Sequence, residues 1–179
     1  HRDHAGGLAS LRAAAEAGQV SRFRVAASPE EAHLLSRGTH VDLGLDLFGL
    51  TDRSMFPASS VDFEFTDGQE LTIGSLRLRV IIVPGHSPGC TCFFGEIDGL
   101  RVLFAGDVVF HGGRINVGNW PGSSHETYRT ALPKLAGLEI DALLPGHGIW
   151  TLHDGQRHID LALEDFQGLW PPPNLNGRH

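Results

Sequence analysis

Between Val61 and Asp107 the chain is written in short apolar runs separated by turn signals. VDFEF, QELTI and LRLRVIIV alternate or run apolar, with TDG and GS between them, and TCFFGEID and RVLFAGD are joined through DGL. Runs this short, punctuated by Gly, Asp and Ser, fit the strands of an antiparallel meander, because a side-chain period of two and a tight turn are what a hairpin needs. On either side the period lengthens to that of helices. LASLRAAAEAGQ reads as a helix, SRFRVAAS as a strand, and PEEAHLLSR as a second helix with Ser28 as its cap and Pro29 as its first residue. Beyond Asp107, SSHETYRTALPKLAGL carries a Ser cap and Glu126 in its first turn, so it reads as a helix that Pro133 bends or breaks. IDALLPGHG is a short buried strand and GQRHIDLALEDFQGL a closing amphipathic helix. The fold class is α/β.

A length of 179 residues with 41% hydrophobic content supports one domain. We place it at residues 1–170, with 171–179 as a tail, since WPPPNLNGRH cannot form regular structure. From His40 to Ser60 no period is sustained, and the segment is rich in Leu, Phe and Met. It is either a lid whose Leu47, Phe48, Leu50, Met55 and Phe56 wall the cleft, Phe48 touching substrate, or a helical pair covering the core. The formal charge of -7 and the single lysine, Lys134, leave no basic run and exclude a nucleic-acid surface. No apolar stretch is long enough to span a bilayer, so no membrane partner is expected. Cys90 and Cys92, one residue apart in a strand, would form a strained disulfide and are read as free thiols, in keeping with a reducing cytoplasm. The oligomeric state is not legible.

Histidine or aspartate beside glycine recurs at four places. They are HRDHAGG with His1, Asp3 and His4, VPGHSPG with His86, FAGDVVF with Asp107, and LLPGHG with His147. The first is read as a tight loop at a helix N-terminus, the others as strand ends. A strand end holds the backbone rigidly, and glycine lets it turn so that a side chain enters a shared cleft. Taken singly, a Gly-His pair after a strand is an ordinary turn. As an ordered set the residues have the composition of a metal centre, in which imidazoles bind Zn²⁺ and a carboxylate, here Asp107, bridges two cations. The chemistry such a centre supports is hydrolysis by a metal-bound hydroxide, with no serine or cysteine nucleophile.

In this order, H-R-D-H, PGHSPG, AGDVVF and PGHG resemble the successive motifs of the metallo-β-lactamase superfamily, above all its glyoxalase II-like hydrolase branch. The resemblance implies an αβ/βα sandwich, here lacking its N-terminal strands. It aligns His1, Asp3 and His4 with the last three positions of the family's H-x-H-x-D-H motif, so the family's first histidine is expected upstream. It further implies that His1 and His86 belong to a first metal and Asp3, His4 and His147 to a second. Asp107 would bridge them, and Asp3 would act catalytically by orienting the hydroxide. Two Zn²⁺ per complete domain are implied, with iron or manganese as alternatives.

Where the chain departs from the family, activities narrow. The glutathione-using branch has a C-terminal helical domain with basic residues, whereas only Arg157 and Arg178 are basic after His147. The lactonases place a tyrosine soon after the bridging aspartate, where Val108, Val109 and Phe110 stand, and the best-known antibiotic-hydrolysing members use cysteine where Asp107 falls. In HGGRINVGNWPGSS, the residues Arg114, Asn116, Asn119 and Trp120 either orient a substrate carbonyl or carboxylate or satisfy loop backbone, and His111 is an extra ligand candidate. Tyr128 is assigned to a structural helix. The expected function is hydrolysis of an ester, thioester or lactone, with a small-molecule substrate. The alternatives are a mononuclear iron persulfide dioxygenase, on the flavour of PGHSPGCTCFF, and a non-catalytic remnant should the chain be complete.

Overall fold

The computed structural model describes residues 1–21, 23–38, 49, 52, 57–168 and 170–177. They form two compact units, His1–Phe65 with Asn119–Pro121, and Thr66–Gly118 with Gly122–His179. The first unit contains α1 (Arg2–Ala5), α2 (Leu8–Glu16), β1 (Ala26–Ala27), α3 (Pro29–Arg37) and β2 (Phe63–Glu64). The start of α3 is as read: Ser28 is extended and its Oγ accepts the Glu31 N–H, while Pro29 supplies a first turn that needs no N–H. Gly38 ends that helix in the left-handed region, at φ +55°, where a Cβ would lie 2.3 Å from the Ala58 nitrogen. The lid expectation for Leu47, Phe48, Leu50, Met55 and Phe56 falls outside the described residues.

One strand has a different partner from the one expected. VDFEF does not join the meander: β2 pairs in parallel with β1, in the register Ala26 to Phe63 and Ala27 to Glu64. The reason is long-range. The Asp62 carboxylate accepts the Val25 N–H at 2.6 Å and pairs with Arg12 of α2 at 3.0 Å, and these bonds pin the segment beside β1. Those bonds, with that to Val25 foremost, hold the Asp62 carboxyl below its ordinary pKa.

The second unit is the meander itself, β3 (Glu70–Ile73), β4 (Leu76–Ile82), β5 (Thr91–Ile97) and β6 (Leu100–Gly106), with β7 (Ala142–Pro145) added parallel to β6. The hairpin turns are those the sequence marks. Asp98 and Gly99 both have positive φ, 52° and 80°, the two-residue turn whose twist matches that of paired strands. The crossover to β7 carries α4 (His125–Ala131), capped by the Ser124 Oγ, and Pro133 turns its end into a 3₁₀ segment, Leu132–Leu135. Then α5 (Gly155–Gln167) turns Gly155, Ile159, Ala162 and Phe166 inward, one face of a 3.6-residue helix. They meet Tyr128, Leu132 and Leu135 over Val83, Cys92, Leu103, Ala105 and Leu143 in one apolar core. Neither Cys90 nor Cys92 is in a disulfide, and burial pushes the Cys92 thiol well up. The closing segment is irregular, as expected, yet docked: the Ile115 N–H donates to Pro173 O at 3.0 Å and Leu175 N–H to Ile115 O at 2.7 Å. Among the described residues no helix is long and apolar enough to cross a membrane.

Arg101 at the start of β6 staples the start of β7 by donating to Asp141 from its backbone N–H at 2.8 Å and its Nε at 3.1 Å. The Arg101 guanidinium, then its backbone N–H, hold the Asp141 carboxyl below the ordinary range. A depressed folded-state value means stabilisation that is present above the unfolded carboxylate pKa and lost as pH falls through the folded one. Asp141→Asn is therefore expected to lower the denaturant midpoint near neutral pH, and the gap to the parent should shrink on acidification below about pH 4. An equal gap at both pH values would remove this ion pair from the account.

Candidate active site

Two antiparallel steps separate β4 from β6, and β7 runs parallel to β6, so all three strands point the same way. Their C-terminal ends therefore open at one end of the sheet, and there the chain places Gly85-His86, Gly106-Asp107 and Gly146-His147. Topology, not sequence proximity, gathers these three motifs.

Asp107 is the hub. Its Oδ2 lies 3.3 Å from His86 Nε2 and 3.5 Å from His147 Nε2. His86 and Asp107 are buried, at 3% and 5% exposure, while the His147 side chain is 40% exposed and forms the open side. The His86 ring is oriented by its other nitrogen, 2.7 Å from the Asn116 carbonyl oxygen. A carbonyl can only accept, so Nδ1 carries a hydrogen, and Nε2 is the nitrogen turned towards the Asp107 carboxylate. A ring held in this way through Nδ1 offers Nε2 to a cation shared with the carboxylate. Two ligand atoms about 2.1 Å from a tetrahedral Zn²⁺ sit about 3.4 Å apart, so the donor set fits such an ion in chemistry and spacing.

The backbone behind the hub is tightly defined. Tyr128 is fully buried in α4, and its hydroxyl lies 2.8 Å from both the Asp107 and Val108 carbonyl oxygens. Its ring packs on Gly85, at φ +146°, where a Cβ would stand 2.3 Å from Tyr128 Cδ2. The loop after Asp107 is anchored to α5 at Gly113, where a Cβ would meet Leu161 and Ala162 within 2.9 Å.

The expected substrate contacts fare differently. Arg114 is half-buried, and its carbonyl accepts the Phe110 N–H at 2.9 Å, closing the turn. Asn116 works through its backbone carbonyl on His86, while its Oδ1 is buried without a hydrogen-bond partner among the described residues. His111, considered as an extra ligand, lies against His158 of α5 with ring centroids 4.3 Å apart, and His158 Nδ1 accepts the Gly112 N–H at 3.0 Å. Phe48 lies outside the described residues.

In the first unit, taken by itself, Asn119 is exposed and the His1 ring stands edge-on to Trp120 at 5.7 Å. Asp3 and His4 do not lie in a loop: they belong to the helical turn α1, with His4 Nε2 3.6 Å from Asp3 Oδ2 and both side chains exposed. A single turn closes here because the Ala5 and Gly6 N–H groups find the His1 and Arg2 carbonyls. Sequence reading missed Tyr128 as a neighbour of the site; the one available signal was a tyrosine one turn into a capped helix.

The family model for the Metallo-beta-lactamase superfamily matches residues 1–147. "Glyoxylase B2" of Dictyostelium discoideum is 38% identical over 89 residues, covering 46% of this chain and 28% of its own length. "Hydroxyacylglutathione hydrolase" of Marinomonas sp. (strain MWYL1) is 30% identical over 161 residues, covering 90% of this chain and 49% of its own. The crystal structure of BLEG-1 B3 metallo-beta-lactamase superposes with a TM-score of 0.68 at 28% identity, over 88% of this chain and 69% of that one. The chain thus spans half or less of the length of these two curated relatives.

Proposed function

The chain belongs to the metallo-β-lactamase superfamily and has its α/β fold, and from that premise we propose that it is a dinuclear zinc hydrolase of a small ester, thioester or lactone. Membership implies a divalent metal. The observation that carries the reading is the convergence of His86 Nε2 and His147 Nε2 on Asp107 Oδ2. On the motif resemblance, His1 and His86 would hold one cation and Asp3, His4 and His147 the other, with Asp107 serving both. When bound, such cations act as Lewis acids on the acyl carbonyl and bring the pKa of water near neutrality.

The protein's own contribution is positioning. The Asn116 carbonyl orients the His86 ring, and Asp107 is buried beside it. Asp3 is assigned the catalytic task of orienting the attacking water, and Arg114 and Asn119 that of orienting the substrate, while Asn116, expected to join them, acts through its backbone carbonyl on His86. A thioester is one of the three candidates, and a relative aligned over 90% of this chain is named hydroxyacylglutathione hydrolase. Two cysteines outside any disulfide favour a cytoplasmic setting.

Next to His147 the chain presents Ile149 and Trp150 at 64% and 62% exposure, and Thr151 fastens the returning strand to Leu143 with bonds of 2.9 and 3.0 Å. This apolar rim suits an acyl chain. Trp150→Ala is expected to lower kcat/KM for longer acyl substrates a few-fold, at about 0.8 kcal/mol per methylene that loses contact, and to spare an acetyl ester. Equal losses for short and long acyl groups would dismiss the rim.

The deciding experiment measures metal content beside turnover on thioesters, lactones and β-lactams. Two zinc ions with acyl hydrolysis support the reading. Iron with O₂ consumption on a persulfide would replace it with the dioxygenase alternative, and zinc without turnover on any acyl compound would sink it.

A further inference from the structure

Tyr128 is a buried phenol that the hydrolytic reading does not use. Its hydroxyl donates to the backbone carbonyls of both Asp107 and Val108 at 2.8 Å. The His86 ring is held in turn by the Asn116 carbonyl, 2.7 Å from its Nδ1. The face of the ring occupies the space a Cβ at Gly85 would need, so the turn that delivers His86 rests on it directly. Phe166 of α5 backs the ring from 6.3 Å, nearly parallel at 27°.

We infer that Tyr128 is a positioning residue, a single hydrogen-bonding node that sets the spacing between the His86 and Asp107 turns and so the affinity of the site for a divalent cation. This rests on the metal-centre reading above. The two turns belong to strands separated by β5, and the backbone ladder does not fix the side-chain spacing beyond the strand ends. A rigid aromatic side chain with a donor at its tip can do so, because its ring meets one turn while its hydroxyl meets the other. The hydroxyl is the donor in both contacts, since a carbonyl can only accept. A purely space-filling role needs the ring but not the hydroxyl. Tyr128→Phe separates the two.

The test is zinc retention by the whole chain, loaded with the metal and titrated with a competing chelator. A core change remote from both turns, Leu135→Ala, serves as the control. Tyr128→Phe is expected to weaken zinc retention about tenfold, the scale of losing a group that orients ligands, with native circular dichroism. Its kcat should fall while KM stays near the parent's, since the residue does not face substrate. Leu135→Ala should lose more stability and keep zinc as the parent does. Parent-like retention in Tyr128→Phe would overturn the inference, and so would an equal loss in Leu135→Ala, which would reduce the effect to general stability. A parent that holds zinc but hydrolyses nothing removes the proposed function and leaves this inference standing. A parent that holds no zinc overturns both.

Discussion

Asp107→Ala is expected to abolish acyl hydrolysis and strip most of the bound metal while leaving the fold intact. Asp107 Oδ2 lies within 3.5 Å of both His86 Nε2 and His147 Nε2, so its removal takes away a carboxylate that the two imidazoles share. Losing a group that merely orients a metal ligand costs about 10–100-fold in affinity or activity. A ligand shared by two cations should cost more, about 10³-fold in kcat/KM by extension of that scale. His153→Ala is the counterpart: His153 is exposed, and its backbone exchanges hydrogen bonds with the Thr151 hydroxyl. Metal content and kcat/KM, measured on both variants, check the assignment. Full occupancy and activity after Asp107→Ala would sink it, as would an equal loss from His153→Ala.

Gly85→Ala is expected to be the most destabilising small substitution near the site. The added Cβ would come within 2.3 Å of Tyr128 Cδ2 and 2.4 Å of Cγ, and Tyr128 has nowhere to go, being fully buried and tied by its hydroxyl. Overpacking of this kind costs about 1–3 kcal/mol, and a non-glycine residue held at φ +146° adds about 1–3 kcal/mol. A total near 3 kcal/mol or more corresponds to a Tm drop of roughly 6–12 °C. Gly74→Ala separates the two causes, since Gly74 also has positive φ, +62°, but a Cβ there would meet nothing within 4 Å. It should cost only the backbone part, about 1–2 kcal/mol. Similar Tm losses for both would mean that the Tyr128 contact contributes nothing.

What the sequence determined by itself is local. Asp98-Gly99 specifies a hairpin because both residues tolerate positive φ, Ser28-Pro29 specifies a helix start because one supplies an acceptor and the other needs no partner, and Pro133 ends α4 because it clashes with the preceding turn. The identities of His86, Asp107 and His147 were legible for the same reason: each follows a glycine at a strand end, and strand ends can be read from period and punctuation.

Only the tertiary structure decided which elements meet. Alternation in VDFEF announced a strand but not its partner, which the Asp62 bonds to Val25 and Arg12 select from far along the chain. Nothing local distinguishes a loop from the single helical turn that carries Asp3 and His4. The orientation of the His86 ring depends on a carbonyl thirty residues away, and the part taken by Tyr128 depends on the Gly85 and Asp107 turns meeting α4, which the crossover from β6 to β7 carries. A side chain's period and φ preference are properties of its neighbours in sequence. Its hydrogen-bond partners across the core are properties of the packed sheet, where a buried donor must find an acceptor wherever the fold provides one.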